Sequence, residues 1–334
     1  MENNHISILK NTTLTAIRLF VKLKYLYLFN NQIKIIENSS FFGLRELYRI
    51  DLSFNRLEFI TSETFIGLTS LATLTLTGNK IKWIHLDAFE DLESLQSLKL
   101  NENNLKSFDK YTIRNSLSLS NLFLENNNLE YFKSDSFFIE NHFLARIVLS
   151  SNSLKNISKK MLNHLLNVNQ IFLDSNQISF VEDFSFIDCT TLQILDLENN
   201  QLQNITSNYF KGLNQLRWLY LNKNQIEYID SDALSFMKYL KMLGLNENRI
   251  KFVSSKIVEL FQFGLIELFI VDNPIESIES TIIKKKINTN ERIKKFAINT
   301  IKVVNGDLER VNFCFLNQNR WLFLRQSFLH YEYY

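Results

Sequence analysis

The sequence predicts an α/β-type repeat solenoid, a curved stack of short parallel strands whose concave β-sheet is backed by an irregular or short-helical convex side. Three observations predict it. An eleven-residue frame, L-x-x-L-x-L-x-x-N-x-L, returns at an almost constant interval along most of the 334 residues. A large apolar residue, most often Phe, recurs at a fixed distance after it. The usual turn-makers are nearly missing, with seven Gly and one Pro, whereas Asn occurs about forty times and can bond nearby backbone and tolerate left-handed turns.

The frame first appears as LKYLYLFNNQI, Leu23 to Ile33, and runs through eleven copies to LIELFIVDNPI. Their shared asparagines are Asn31, Asn55, Asn79, Asn103, Asn127, Asn152, Asn176, Asn200, Asn224, Asn248 and Asn273. Every step is 24 residues except Asn127 to Asn152 and Asn248 to Asn273, which are 25. Fixed self-similarity of this kind marks units that bury their apolar faces only by stacking. Within each copy the x-L-x-L-x core alternates with period two, so its Leu residues face inward and the x positions face out from a short strand. Parallel strands lie about 4.8 Å apart, so eleven give a sheet on the order of 50 Å long.

The segments between strands are patterned too. Counting from each Asn, apolar residues fall at the second and fifth places, and Phe41, Phe65, Phe89, Phe137, Phe186 and Phe210 hold the tenth. Ile113, Leu162, Leu234, Val258 and Ile283 substitute there. A column of such bulk on the outer side bends the stack and makes the sheet concave. Both longer repeats carry their extra residue between the tenth and sixteenth places, which leaves the strand register intact. The ladder Asn is expected to be buried where the chain leaves the strand, its amide satisfying backbone groups of its own and the adjacent turn.

These copies resemble the leucine-rich-repeat superfamily, and specifically its "typical" 24-residue subclass, found in Toll-like receptors, Slit-like and chaoptin-like proteins and the acid-labile-subunit group. The resemblance implies a right-handed horseshoe, a binding rather than catalytic role, and a protein ligand taken on the concave sheet. It divides the chain into a partial N-terminal repeat at 1–22, eleven repeats at 23–283, and a degenerate repeat or capping tail at 284–334. Leu9, Ile17, Phe20 and Leu23 fit the tail of an earlier repeat, and Ile298, Ile301, Val303 and Leu308 fit a twelfth with Gly306 in the Asn place. Extracellular relatives carry Cys-rich caps. Here Asn273-Pro274 is followed by no cysteine until Cys314. Two readings stay open: a piece of a longer receptor-like or adhesion ectodomain, glycosylated and engaged in signalling, or an intracellular scaffold or regulatory subunit.

Composition narrows the partners. Lys+Arg at 37 nearly cancel Asp+Glu at 35, for a net charge of +2. That excess does not call for a polyanion, so no nucleic acid is expected. No apolar run reaches the roughly 20 residues of a membrane span, and the N-terminus has no basic segment leading into an apolar core. The five His, His5, His85, His142, His164 and His330, fall at different phases and give neither metal-ligand spacing nor a nucleophile–base pair, so no metal, cofactor or enzyme activity is expected. Cys189 sits at a Leu place and reads as a small buried hydrophobe. Lys284-Lys285-Lys286 reads as a solvated turn. Four N-x-S/T acceptors begin at Asn11, Asn38, Asn156 and Asn204, roughly the number that chance gives.

Candidate binding residues lie in the outward columns. The middle column reads Tyr27, Asp51, Thr75, Lys99, Phe123, Val148, Phe172, Asp196, Tyr220, Gly244 and Phe269. Phe172, Asp174, Asp196, Glu198, Trp218 and Tyr220 fall on three adjacent strands, rings beside carboxylates, a patch suited to a partner presenting Lys or Arg among apolar groups. Two alternatives stand beside it. In one the rings serve only to cover one another; in the other the contact lies at the N-terminal group Tyr25, Tyr27, Arg49 and Asp51.

Overall fold

A computed structural model describes residues 4–10, 22–132, 143–257, 264–265 and 267–278, with residue 260 and the backbone of a strand at 296–297. One parallel sheet runs through the molecule in strict sequence order. Its three-residue strands begin at Tyr25–Tyr27 and Arg49–Asp51 and continue through Trp218–Tyr220 to Glu267–Phe269. A twelfth strand, Phe296–Ala297, adds beside the last of these. Ile298, Ile301, Val303, Gly306, Leu308 and the rest of the tail lie outside the described residues, as do Phe137, Val258 and Ile283.

Equivalent places pair throughout, Tyr25 with Arg49 and Leu26 with Ile50, for example. The register also holds across both 25-residue steps, Asn121 to Arg146 and Met242 to Glu267. The extra residue therefore leaves the strand register untouched, as expected. Each central strand residue is buried, and the strand Leu or Ile residues, the second-place residues and the Phe column form one continuous core from Leu9 to Ile275. Phe41, Phe65 and Phe89 are stacked at 5.9 and 6.1 Å between ring centroids. The convex side is mostly turns, with a four-residue helix, Lys159–Leu162, a 3-10 turn, Lys110–Ile113, and helical residues at 255–257 and 260 among the described residues. Cys189 is wholly buried, and burial pushes its thiol up to about 12, the behaviour of a core hydrophobe.

The asparagine ladder joins neighbours. Asn55 donates from Nδ2 to its own Leu52 carbonyl at 3.0 Å and to Leu28 of the preceding repeat at 2.9 Å. Its Oδ1 accepts from the Ile33 N–H of that same preceding repeat at 2.9 Å. The set recurs down to Asn273, which reaches Ile270, Leu245 and the Ile250 N–H. Asn31 accepts from Ile6 in the same way, so residues 4–9 sit as the end of a preceding turn, with Ile8–Leu9 paired to Ile35–Ile36.

One detail corrects the sequence reading. The ladder asparagines do not supply the left-handed turn; the residue before each of them does. Asn30, Phe54, Glu102, Asn126, Ser151, Ser175, Asn199, Lys223, Glu247 and Asp272 all have φ between 53° and 57°, and Gly78 has 67°. This conformation is costly for a side chain as bulky as Phe54. The hydrogen bonds made by the following Asn hold it there.

Candidate recognition face

The six residues predicted as a patch do share adjacent strands. Phe172, Asp196 and Tyr220 are direct register partners, and Trp218 lies between Ile194 and Met242. They are closed over, however. Phe172 and Tyr220 are each 3% exposed, Asp174, Asp196 and Glu198 are buried, and Trp218 is half-buried. The rings belong to a second apolar cluster on the concave side, separate from the main core: Phe123, Val148, Phe172, Ile194, Tyr220, Met242 and Phe269, with Trp218 against it. The covering role weighed from the sequence is the one this geometry displays.

The carboxylates of the patch are also engaged. Asp196 accepts from the Glu198 N–H at 3.0 Å, and Asp51 accepts likewise from Ser53 in the same column. Asp174 accepts from the Ser150 hydroxyl at 2.5 Å. Glu198 pairs with Lys223 at 3.3 Å and accepts from the Asn222 amide at 3.4 Å. Asp174, Asp196, Glu198, Trp218 and Tyr220 make further interactions, so none is a free side chain.

Two contributors, Arg146 and Glu125, escaped the sequence reading, and Lys99 stood in the middle column with no role assigned. Arg146 places its guanidinium 5.5 Å from the Phe123 ring and 5.2 Å from Phe172, a cation between two π faces. Lys99 stands over the other side of Phe123 at 5.3 Å. Glu125 lies at the border of the cluster, where burial pushes its carboxyl up to about 7 against the opposing pull of Arg146 and Lys99. The visible signal was an Arg and a Glu two places to either side of a Val–Phe column, at strand ends that the middle-column reading passed over. Gly244 is a further structural requirement. A Cβ there would lie 2.7 Å from the Asn222 carboxamide, whose Oδ1 accepts from Asn246.

The N-terminal group is different. Tyr25 is 53% exposed and Tyr27 39%, and Tyr25 meets Tyr48 edge to face at 6.3 Å. Arg49 and Asp51, on the neighbouring strand, are half-buried beside them. This is where the outward columns present open aromatic surface.

The repeat frame is shared with known sequences. A leucine rich repeat profile matches residues 3–57, 21–81, 45–105, 71–129, 143–202 and 190–250. The chain belongs to the leucine-rich-repeat family. No curated protein sequence matches it. Among solved structures, this leucine-rich-repeat chain is similar to TLR13 in its complex with ssRNA13, at 24% identity and a TM-score of 0.72, covering 81% of this chain and 39% of that one. It is similar to Drosophila Toll in the Toll–Spatzle complex, at 20% identity and a TM-score of 0.69, covering 83% and 38%. A leucine-rich-repeat protein of Leptospira interrogans matches at 24% identity and a TM-score of 0.61, covering 85% and 74%. The chain thus spans about two-fifths of the TLR13 and Toll chains. These likenesses establish the fold. Among the described residues, no group of His, Cys, Asp and Glu is placed to hold a metal, and no helix is long and apolar enough to cross a membrane.

Proposed function

We propose that this chain is a protein-recognition module of receptor or adhesion type, acting at the cell surface or outside the cell, with its partner seated on the concave sheet. The observation that carries the reading is the open tyrosine surface of the first strand, Tyr25 and Tyr27, braced by Tyr48 and flanked by Arg49 and Asp51. Exposed Tyr rings are among the side chains enriched where interfaces are anchored. The middle patch, Phe172, Asp174, Asp196, Glu198, Trp218 and Tyr220, joins the contact through the accessible edge of Trp218.

Charge favours a protein over a nucleic acid as the partner. The three outward columns carry Arg49, Lys99 and Arg146 against Asp51, Glu125, Asp174, Asp196, Glu198 and Glu267. A phosphate backbone requires the reverse balance. A partner presenting Lys or Arg among apolar groups fits. Toll, a similar fold, was solved with Spatzle, which supports the reading by analogy, whereas TLR13 was solved with RNA.

The test is a panel of secreted and cell-surface proteins, with affinity measured for the native chain and for variants. Tyr25→Ala with Tyr27→Ala is expected to raise Kd more than tenfold, about 1.4 kcal/mol, with the melting temperature unchanged. Trp218→Ala is expected to weaken binding less. A partner whose affinity ignores all three substitutions would displace the site from this face.

A further inference from the structure

The flank of the solenoid just beyond the ladder carries a second column of side chains, four places after each ladder Asn. It lies on two-residue parallel strands whose following residue is turned into the core. In this column Phe59, Trp83, Tyr131, Phe180, Tyr228 and Phe252 are exposed by 43–60%. A row of open rings along one edge is surface that folded proteins seldom leave bare.

Two places in the row are asparagines, Asn156 and Asn204, both exposed. Each opens a glycosylation acceptor: Asn156-Ile157-Ser158 and Asn204-Ile205-Thr206. Asn156 is the direct register partner of Phe180, and Asn204 that of Tyr228. In column order Asn156 falls between Tyr131 and Phe180, and Asn204 between Phe180 and Tyr228. Phe180 is braced edge to face by Tyr209 at 6.5 Å. The other described acceptor, Asn38, lies three places further along its repeat and outside this row. Two of the four acceptors thus share this one column, each beside a ring.

We propose that Asn156 and Asn204 are N-glycosylation sites at which the first sugar lies on the neighbouring rings and covers this part of the flank. The proposal rests on the extracellular or cell-surface reading above. In the transfer, the amide Nδ2 bonds to the anomeric carbon of an oligosaccharide carried on a polyprenyl diphosphate. The bond from that carbon to the phosphate oxygen breaks, the diphosphate lipid leaves with the electron pair, and the amide nitrogen gives up one proton. The sugar's apolar C–H face then meets the face of Phe180 or Tyr228, large apolar surfaces that otherwise stay in water. Ile35, Phe59 and Trp83, on the first repeats, have no acceptor next to them in the row.

The test is expression of the full chain behind a secretion signal in animal cells. Peptide-N-glycosidase treatment and site-resolved mass spectrometry then read occupancy. Expected are glycans on both residues, one lost in Asn156→Gln and the other in Asn204→Gln or Thr206→Ala. With the glycans trimmed to a single N-acetylglucosamine, its ring protons are expected to be shifted upfield by the aromatic rings, and to return towards free-sugar positions in Phe180→Ala and Tyr228→Ala. A folded, secreted chain unmodified at both residues overturns the sites, and sugar signals indifferent to the two ring deletions overturn the packing. Neither result touches partner binding. A native chain confined to the cytosol overturns the cell-surface reading itself and the sites with it.

Discussion

Tyr27 and Tyr220 occupy the same column of the same sheet, eight repeats apart, yet one is 39% exposed and the other 3%. The repeat assigns both to the outward side of a concave strand. Their surroundings differ. Beyond Tyr27 the column continues with Asp51 and Thr75, which are polar. Around Tyr220 stand Ile194, Trp218 and Met242, with Phe172 and Phe269 further along, and these merge into one cluster. Outward direction is thus a property of the repeat, whereas exposure belongs to the neighbouring repeats.

The contrast can be broken most forcefully through stability. Phe172→Ala, in the closed cluster, is expected to cost about 3–5 kcal/mol, and Tyr27→Ala no more than about 0.5 kcal/mol. Urea unfolding of the two variants measures the difference, and equal costs would erase the distinction between the regions. The next effect is a pH dependence at the border of the cluster. Glu125 titrates at about 7 in the folded chain against an ordinary 4.5, so the folded state holds more protons between those values. Its contribution is therefore full below about pH 4.5 and is lost as pH rises through 7, a fall of about 3 kcal/mol. Glu125→Gln should flatten that slope in unfolding curves taken from pH 5 to pH 8. Gly244→Ala sharpens the comparison further, since its Cβ meets Asn222; an overpacking cost of about 1–2 kcal/mol is expected by thermal unfolding. The smallest effect is that of Arg146→Met, which removes the cation between Phe123 and Phe172 and should cost about 1 kcal/mol.

The repeat, its register and the Phe column were legible because stacking demands the same apolar residue at the same place in every turn. Leu26, Ile50 and Leu74 can be read from one another. The ladder was legible for the same reason, since no other side chain both donates to two carbonyls and accepts from a third backbone group at that place. The left-handed residue was hidden: Phe54, Lys223 and Glu247 share a backbone conformation and no side-chain chemistry. Closure of the middle patch could be weighed from the sequence but not decided there. It depends on Arg146, Met242 and Ile194, which neighbour Phe172 and Tyr220 across strands rather than along the sequence. The flank row escaped notice because Phe59 and Trp83 precede a core position, and adjacent aliphatic and aromatic residues read together as core.

Every ladder asparagine bonds backward. Asn200 takes the Leu173 carbonyl and the Ile178 N–H of the repeat before it, and its own repeat is served in turn by Asn224. No turn of the solenoid is therefore complete until the next one has been laid down. A chain emerging N-terminus first would seal each repeat as the following one arrives, so the growing structure has a direction. Its advancing edge always holds exactly the backbone groups that the next asparagine is shaped to meet, and a missing asparagine would leave open the repeat before it rather than its own.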